Sequence, residues 1–166
     1  MKPLLIGNSS HTDSRGKFVR IFDKKSIEFL NFELMQVNLS ENPNQRTLRG
    51  MHYQIGGPPE HKFISVINGA IHLVVSNAHI VTEKSEIENH YFELSEDSHE
   101  TLFVPSGLAT GWISLSANTI ISYLMTSRFQ ECEYSGFCYD DPFASILWPS
   151  SPEVISEKDC NWPLLR

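Results

Sequence analysis

Phe63-Ile64-Ser65-Val66-Ile67-Asn68-Gly69-Ala70-Ile71-His72-Leu73-Val74-Val75 holds two short apolar runs, rich in β-branched residues, on either side of an Asn-Gly pair. β-Branched and aromatic side chains suit a pleated, half-buried surface. Asn-Gly tolerates the positive φ angles that a two-residue type I′ turn demands. The stretch therefore predicts a β-hairpin. Working outward from it, further strands are expected at residues 17–22, 33–39, 47–54, 88–94, 100–104, 111–114 and 119–126, with a turn at Pro105-Ser106-Gly107. No 3.6-residue apolar stripe runs beyond about two turns. The expected class is all-β, a sandwich or barrel with a few short helices. One helix is expected at residues 24–32, and another begins at Ser156-Glu157-Lys158-Asp159 with Ser156 as its cap.

With 166 residues, 40% hydrophobic and 20% charged, the chain suits one soluble domain spanning residues 1–166 and is short for two. Its apolar runs fall well short of the roughly 18 residues of a membrane helix, so no membrane association is expected. Residues 4–6 are too short an apolar run for a secretory signal, which makes the cytoplasm the expected location. Cys132, Cys138 and Cys160 are odd in number and form no C-x-x-C pair, so reduced structural thiols are expected. A formal charge of −7 argues against general nucleic-acid binding. It leaves room for one diphosphate, because Arg15, Arg20, Arg46, Arg49 and Lys62 all lie in the less acidic first part.

Leu48-Arg49-Gly50-Met51-His52-Tyr53-Gln54 carries the clearest chemical content. In a strand, alternate side chains share a face. Met51 and Tyr53 then point one way while Gly50, His52 and Gln54 point the other, which places His52 for acid–base work if that face lines a pocket. A metal is not expected: His52 is followed by Tyr53-Gln54, and the His residues do not cluster at ligand spacing. A G-x-S-x-G nucleophile elbow is absent too.

Asp13-Ser14-Arg15-Gly16-Lys17-Phe18, Gln36-Val37-Asn38-Leu39-Ser40, residues 48–54, Val104-Pro105-Ser106-Gly107, Asp140-Asp141-Pro142, Ile146-Leu147-Trp148-Pro149 and Ser156-Glu157-Lys158-Asp159 follow one another in an order and spacing that resembles the dTDP-4-dehydrorhamnose 3,5-epimerases. The resemblance covers nearly the whole chain. It implies a cupin-type jelly roll, a homodimer, and epimerisation of a nucleotide-diphosphate 4-keto-6-deoxy sugar with neither metal nor other cofactor. A C4 ketone acidifies the hydrogens on C3 and C5. The enzyme must then supply a base, a group that stabilises the enolate and an acid on the opposite face. By resemblance His52 is the base, Asp159 the carboxylate that orients it, Tyr123 the acid and Lys62 the cation beside the enolate. Arg15, Gln36, Asn38 and Arg49 match positions that bind the sugar and diphosphate, and Phe18, Arg20, Thr110 and Arg128 are taken as substrate-binding with them.

The departures from the family pattern are specific. Ala109-Thr110-Gly111-Trp112 stands where the family reads Ala-His-Gly-Phe, so Thr110 replaces a second His. Leu73 stands in place of an Asp, and Ser76-Asn77-Ala78 in place of an Asp-Leu-Arg-like segment. Arg128-Phe129 replaces an aromatic pair and Arg20 a Glu. Changes from aromatic or acceptor to Arg alter stacking and hydrogen bonding, which places CDP- and GDP-sugars beside dTDP-sugars as substrates. A sugar 3,4-ketoisomerase and a catalytically silent sugar-nucleotide-binding jelly roll are the alternative readings.

Overall fold

The computed structural model describes residues 1–25 and 32–165. Among these residues thirteen strands run in chain order as β1 Leu4–Gly7, β2 Ser9–Asp13, β3 Gly16–Arg20, β4 Gln36–Asn42, β5 Thr47–Gly56, β6 Lys62–Asn68, β7 Ala70–Ser76, β8 Asn89–Ser95, β9 Glu100–Val104, β10 Ala109–Ser114, β11 Thr119–Met125, β12 Glu133–Gly136 and β13 Val154–Ile155. A one-turn helix, α1, spans Glu157–Cys160. One sheet has the order β1-β9-β6-β11-β4 and the other β12-β5-β10-β7-β8, with β13 added parallel to β5. The pair β2-β3 stands apart as a small hairpin. From β4 to β7, and again from β8 to β12, each strand lies in the sheet opposite its predecessor. This is the connectivity of a cupin-type jelly roll.

The hairpin expected at Asn68-Gly69 does not form. Strand β6 pairs with β9 and β11, whereas β7 pairs with β8 and β10. Asn68-Gly69 is instead the corner at which the chain leaves one sheet and enters the other. Gly69 has φ +81°, and a Cβ there would come within 2.5 Å of Ser116 Oγ, which accepts a hydrogen bond from Ala70 N at 3.0 Å. The reason lies in the core. Ile64, Val66, Leu102, Val104 and Ile121 from one sheet meet Ile71, Leu73, Val75, Leu94 and Trp112 from the other. Splitting the two apolar runs between layers lets each bury its inward residues against the other.

Both outer faces are covered as well. Phe63, Phe103 and Leu124 pack under Ile6, Phe22, Phe32 and Leu34. On the other side Met51, Val74, Ala109, Phe137 and Ala144 lie beneath the C-terminal segment. Neighbours such as Phe63 and Ile64 are therefore buried on opposite faces, which explains why the runs read as continuously apolar. The other expected strands form with ends shifted by a few residues; β1 and β13 are apolar but only four and two residues long, and β2 and β12 are mostly polar, so these four gave no strand signal. Ser156 caps α1 as expected, its Oγ accepting from Asp159 N at 3.1 Å. The helix expected at residues 24–32 falls largely on residues 26–31, outside the described residues.

His79 stacks on Tyr53 at 4.0 Å and 24° beside the outer cluster. Burial pushes its pKa down to about 4, against the opposing effect of a backbone hydrogen bond with Gly107. An unfolded His takes a proton near pH 6.5. Between that pH and about 4 the unfolded chain binds a proton that the folded chain refuses, so stability falls on acidification through this window. For this partly exposed ring the loss is about 2 kcal/mol. Denaturant titrations at pH 7 and 4 should show His79→Phe losing about that much less than wild type. Equal losses would contradict the assignment.

Candidate active site

The cleft opens between the two sheets, and the base and acid candidates come from opposite walls. His52 stands on β5 of one sheet; Tyr123 on β11 and Lys62 on β6 belong to the other. All three line one cavity with two adjoining lobes of about 320 and 330 Å³, enough for part of a small ligand. Arg49, Thr110, Trp112 and Asp159 line the inner lobe, while Asn38, Phe129, Tyr134 and Trp162 line the outer one.

Alternation along β5 holds from Met51 to Gln54 and breaks at Gly50. Opposite it, β10 registers Thr110 with His52 and Trp112 with Arg49, so Gly111 alone faces both Gly50 and Met51. This bulge brings Arg49 and His52, three residues apart, into the same cleft, where strict alternation separates them. Gly50 permits it: φ is +123°, and a Cβ would lie 2.5 Å from Gly111 Cα. The Gly50 N–H is turned to Asp159 Oδ2 at 3.1 Å.

Asp159, 4% exposed, receives His52 Nε2 on Oδ1 at 2.7 Å and Trp162 Nε1 on the same oxygen at 3.2 Å. A carboxylate only accepts, so the imidazole carries its proton on Nε2 and leaves Nδ1 to take another. Burial pushes the Asp159 carboxyl upward. The bond and charge of His52, joined by the Gly50 and Trp162 N–H groups, outweigh it and hold the group below its ordinary value of 3.8.

Tyr123 accepts a short hydrogen bond from Trp112 Nε1. Indole only donates, so the phenolic proton is left free for another partner. Burial raises the Tyr123 pKa far above the usual phenol value, opposed by the Trp112 N–H and the Arg49 charge. Arg49 is anchored through Nε to Asn42 Oδ1 at 3.2 Å and lies 5.9 Å from the Trp112 ring centroid. Lys62 reaches Glu60 Oε1 at 3.4 Å. The hydroxyl of Thr110 is buried without a hydrogen-bond partner among the described residues.

The structure thus brings together His52, Asp159, Tyr123, Lys62, Arg49, Thr110 and Asn38 from the residues singled out in sequence. It does not bring Arg15, Phe18, Arg20 or Arg128 to them. Arg15 pairs with Asp13 at the tip of the β2-β3 hairpin, Phe18 is 67% exposed on β3, Arg20 pairs with Asp23 and Arg128 with Glu131. Gln36 stands beside the cleft without lining it, accepting from Phe129 N at 2.9 Å. The β2-β3 hairpin pairs with neither main sheet, and none of its residues lines the cleft. Sequence reading missed Trp112, Tyr134, Lys158 and Trp162. Period two from Thr110 pointed to Trp112, and Lys158 adjoins Asp159; Tyr134 and Trp162 had no such signal. Among the described residues no three His, Cys, Asp or Glu side chains converge to hold a metal ion, and no helix is long and apolar enough to cross a membrane.

The family model described as dTDP-4-dehydrorhamnose 3,5-epimerase matches residues 2–166. The chain belongs to the dTDP-4-dehydrorhamnose 3,5-epimerase family. These are isomerases, as the resemblance implied. The dTDP-4-dehydrorhamnose 3,5-epimerase of Methanothermobacter thermautotrophicus is 31% identical over 98% of this chain and 89% of its own. The crystal structure of the Bacillus anthracis epimerase, with TDP and PPi bound, superimposes with TM-score 0.85 at 31% identity, covering 98% of this chain and 94% of that one. The Legionella pneumophila enzyme, in complex with dTDP-4-keto-L-rhamnose, gives TM-score 0.86 at 27% identity, covering 98% and 87%. This epimerase-family chain therefore has the fold that its motifs implied.

Proposed function

We propose that this protein epimerises a nucleotide-diphosphate-linked 4-keto-6-deoxy sugar at a carbon beside the ketone. The observation that carries the reading is the His52–Asp159 pair and Tyr123 on facing sheets of one cavity, with Lys62 in the same cavity. His52 Nδ1 removes the proton next to the C4 ketone, and Asp159 stabilises the imidazolium that results. The Lys62 ammonium holds the enolate oxygen. Tyr123 returns a proton to carbon from the opposite side; the tyrosinate left behind, stabilised by the Trp112 N–H and Arg49, is reprotonated through water as the His52 imidazolium releases its proton to water. Arg49 and Lys158 supply the charge for the diphosphate. Thr110 and Asn38 offer polar contacts to the sugar, the unpaired Thr110 hydroxyl being free for one.

The same reading makes the protein a cytoplasmic homodimer. Edge strand β4 exposes Val37 and Leu39, at 63% and 64%, next to the cleft residue Asn38. Arg15, Phe18 and Arg20, remote from their own cleft, are then offered to the nucleotide in the second copy's cleft.

Incubation of the protein with dTDP-, CDP- and GDP-4-keto-6-deoxyglucose in deuterium oxide tests the reaction. Deuterium is expected beside the ketone of one of these sugars, with NMR showing an inverted centre and the carbonyl still at C4. No exchange with any of them overturns the proposal, and a carbonyl moved to C3 replaces it with ketoisomerisation. The nucleotide that is bound should raise the thermal midpoint most.

A further inference from the structure

We propose that Glu60 is a positioning residue, a buried carboxylate that holds the Lys62 ammonium in the cleft. Glu60 lies in the loop between β5 and β6, is 3% exposed, and meets the cleft residue Lys62. Its Oε2 accepts a short hydrogen bond from the Tyr134 hydroxyl of β12. Its Oε1 is buried, has no hydrogen-bond partner among the described residues and sits 3.4 Å from Lys62 Nζ. A buried carboxylate with half of its acceptor capacity unmet is costly to maintain unless a cation answers its charge. The cation available is Lys62, only 17% exposed in its side chain and with Nζ 6.0 Å from the Tyr134 ring centroid.

The loop is built to keep the carboxylate there. Gln54 Oε1 accepts from Glu60 N at 3.0 Å, and Gln54 Nε2 donates to Gly56 O at 3.0 Å and Pro58 O at 2.6 Å. The β5 segment that aims His52 at the cleft therefore also fixes, two residues on, the loop that aims Glu60 at Lys62. Lys62 needs such a tether, because an ammonium on a flexible four-carbon stem drifts toward water when nothing holds it. Tyr134 serves the same end: burial first, then the Glu60 carboxylate, raises its pKa well above the ordinary phenol value, so it stays a donor to Glu60.

The catalytic consequence rests on the proposed role of Lys62 at the enolate, and two measurements keep the claims separable. The first reads Lys62 itself. In a nitrogen-15 spectrum of side-chain ammonium groups, the wild-type protein should show a Lys62 signal protected from water exchange, identified by its loss in Lys62→Met. Glu60→Gln, isosteric and still able to accept from Tyr134, should abolish that protection. An unprotected Lys62 signal in wild type, or one unchanged by Glu60→Gln, overturns the proposal whatever the substrate proves to be, and the wild-type half of this test needs no variant of Glu60 to fold. The second reads the reaction. Glu60→Gln should lower kcat about ten-fold with KM within about three-fold, the pattern of an interaction made in the transition state. In the Lys62→Met background the same substitution should cost less than about two-fold, because the group it positions is gone. An equal loss in both backgrounds would mean that Glu60 acts on the fold alone and would overturn the proposal. Absence of turnover by the wild-type protein would instead sink the epimerase reading and leave the ammonium measurement to decide Glu60.

Discussion

His52→Asn lowers kcat for deuterium exchange by about 10³-fold, within the range expected for loss of a general base, while KM and thermal midpoint change little. Asparagine has an amide to donate toward Asp159 but no nitrogen that can take a proton from carbon at neutral pH. Asp159 still receives the Gly50 and Trp162 N–H groups, so the substitution does not strand a buried carboxylate, and destabilisation is expected to stay small. The measurement is single-turnover exchange beside the ketone in deuterium oxide. If His52→Asn keeps more than about a tenth of the wild-type rate, His52 is not the base.

Tyr123→Phe is expected to separate two events that wild type couples. Inversion needs a proton delivered from the face opposite His52, and phenylalanine has none to give, so product formation should fall by about 10²-fold or more. Abstraction by His52 is untouched. The imidazole, 36% exposed in its side chain, can trade the abstracted proton with water and return deuterium to the same face. Wash-in without inversion should therefore persist in recovered substrate. Both signals falling in equal proportion would show that Tyr123 acts on binding or on the enolate instead. The change also removes the acceptor of the buried Trp112 N–H, and a modest loss of stability, about 1–3 kcal/mol, is expected.

What was readable along the chain and what was not follow from the range of the interactions involved. The strand character of β5, β6, β7, β9 and β11 is a local property of β-branched and aromatic runs, and Ser156 as a cap is read from a three-residue span. The partnership of strands is not local. Asn68-Gly69 is an equally good local signal for a hairpin and for a corner, and the choice was made by burial of Ile64, Val66, Ile71, Leu73 and Val75 against one another across two layers. The bulge opposite Gly50 escaped for the same reason, since it exists only where Gly50 and Gly111 approach each other.

The sequence by itself determined the chemical types available: an imidazole, a carboxylate, a phenol and an ammonium, set in motifs whose order marks the family, with Thr110 and Leu73 departing from it. Only the tertiary structure decided what those groups face. His52 and Asp159, 107 positions apart, meet because α1 folds under β5. Tyr123 opposes His52 because β11 and β5 lie in different sheets, and Arg15, Phe18 and Arg20 stay away on a hairpin that joins neither. Glu60 gave no signal in the sequence. Its meaning depends on a Tyr134 74 positions away and a loop held by Gln54, contacts that come from packing and not from any pattern along the chain.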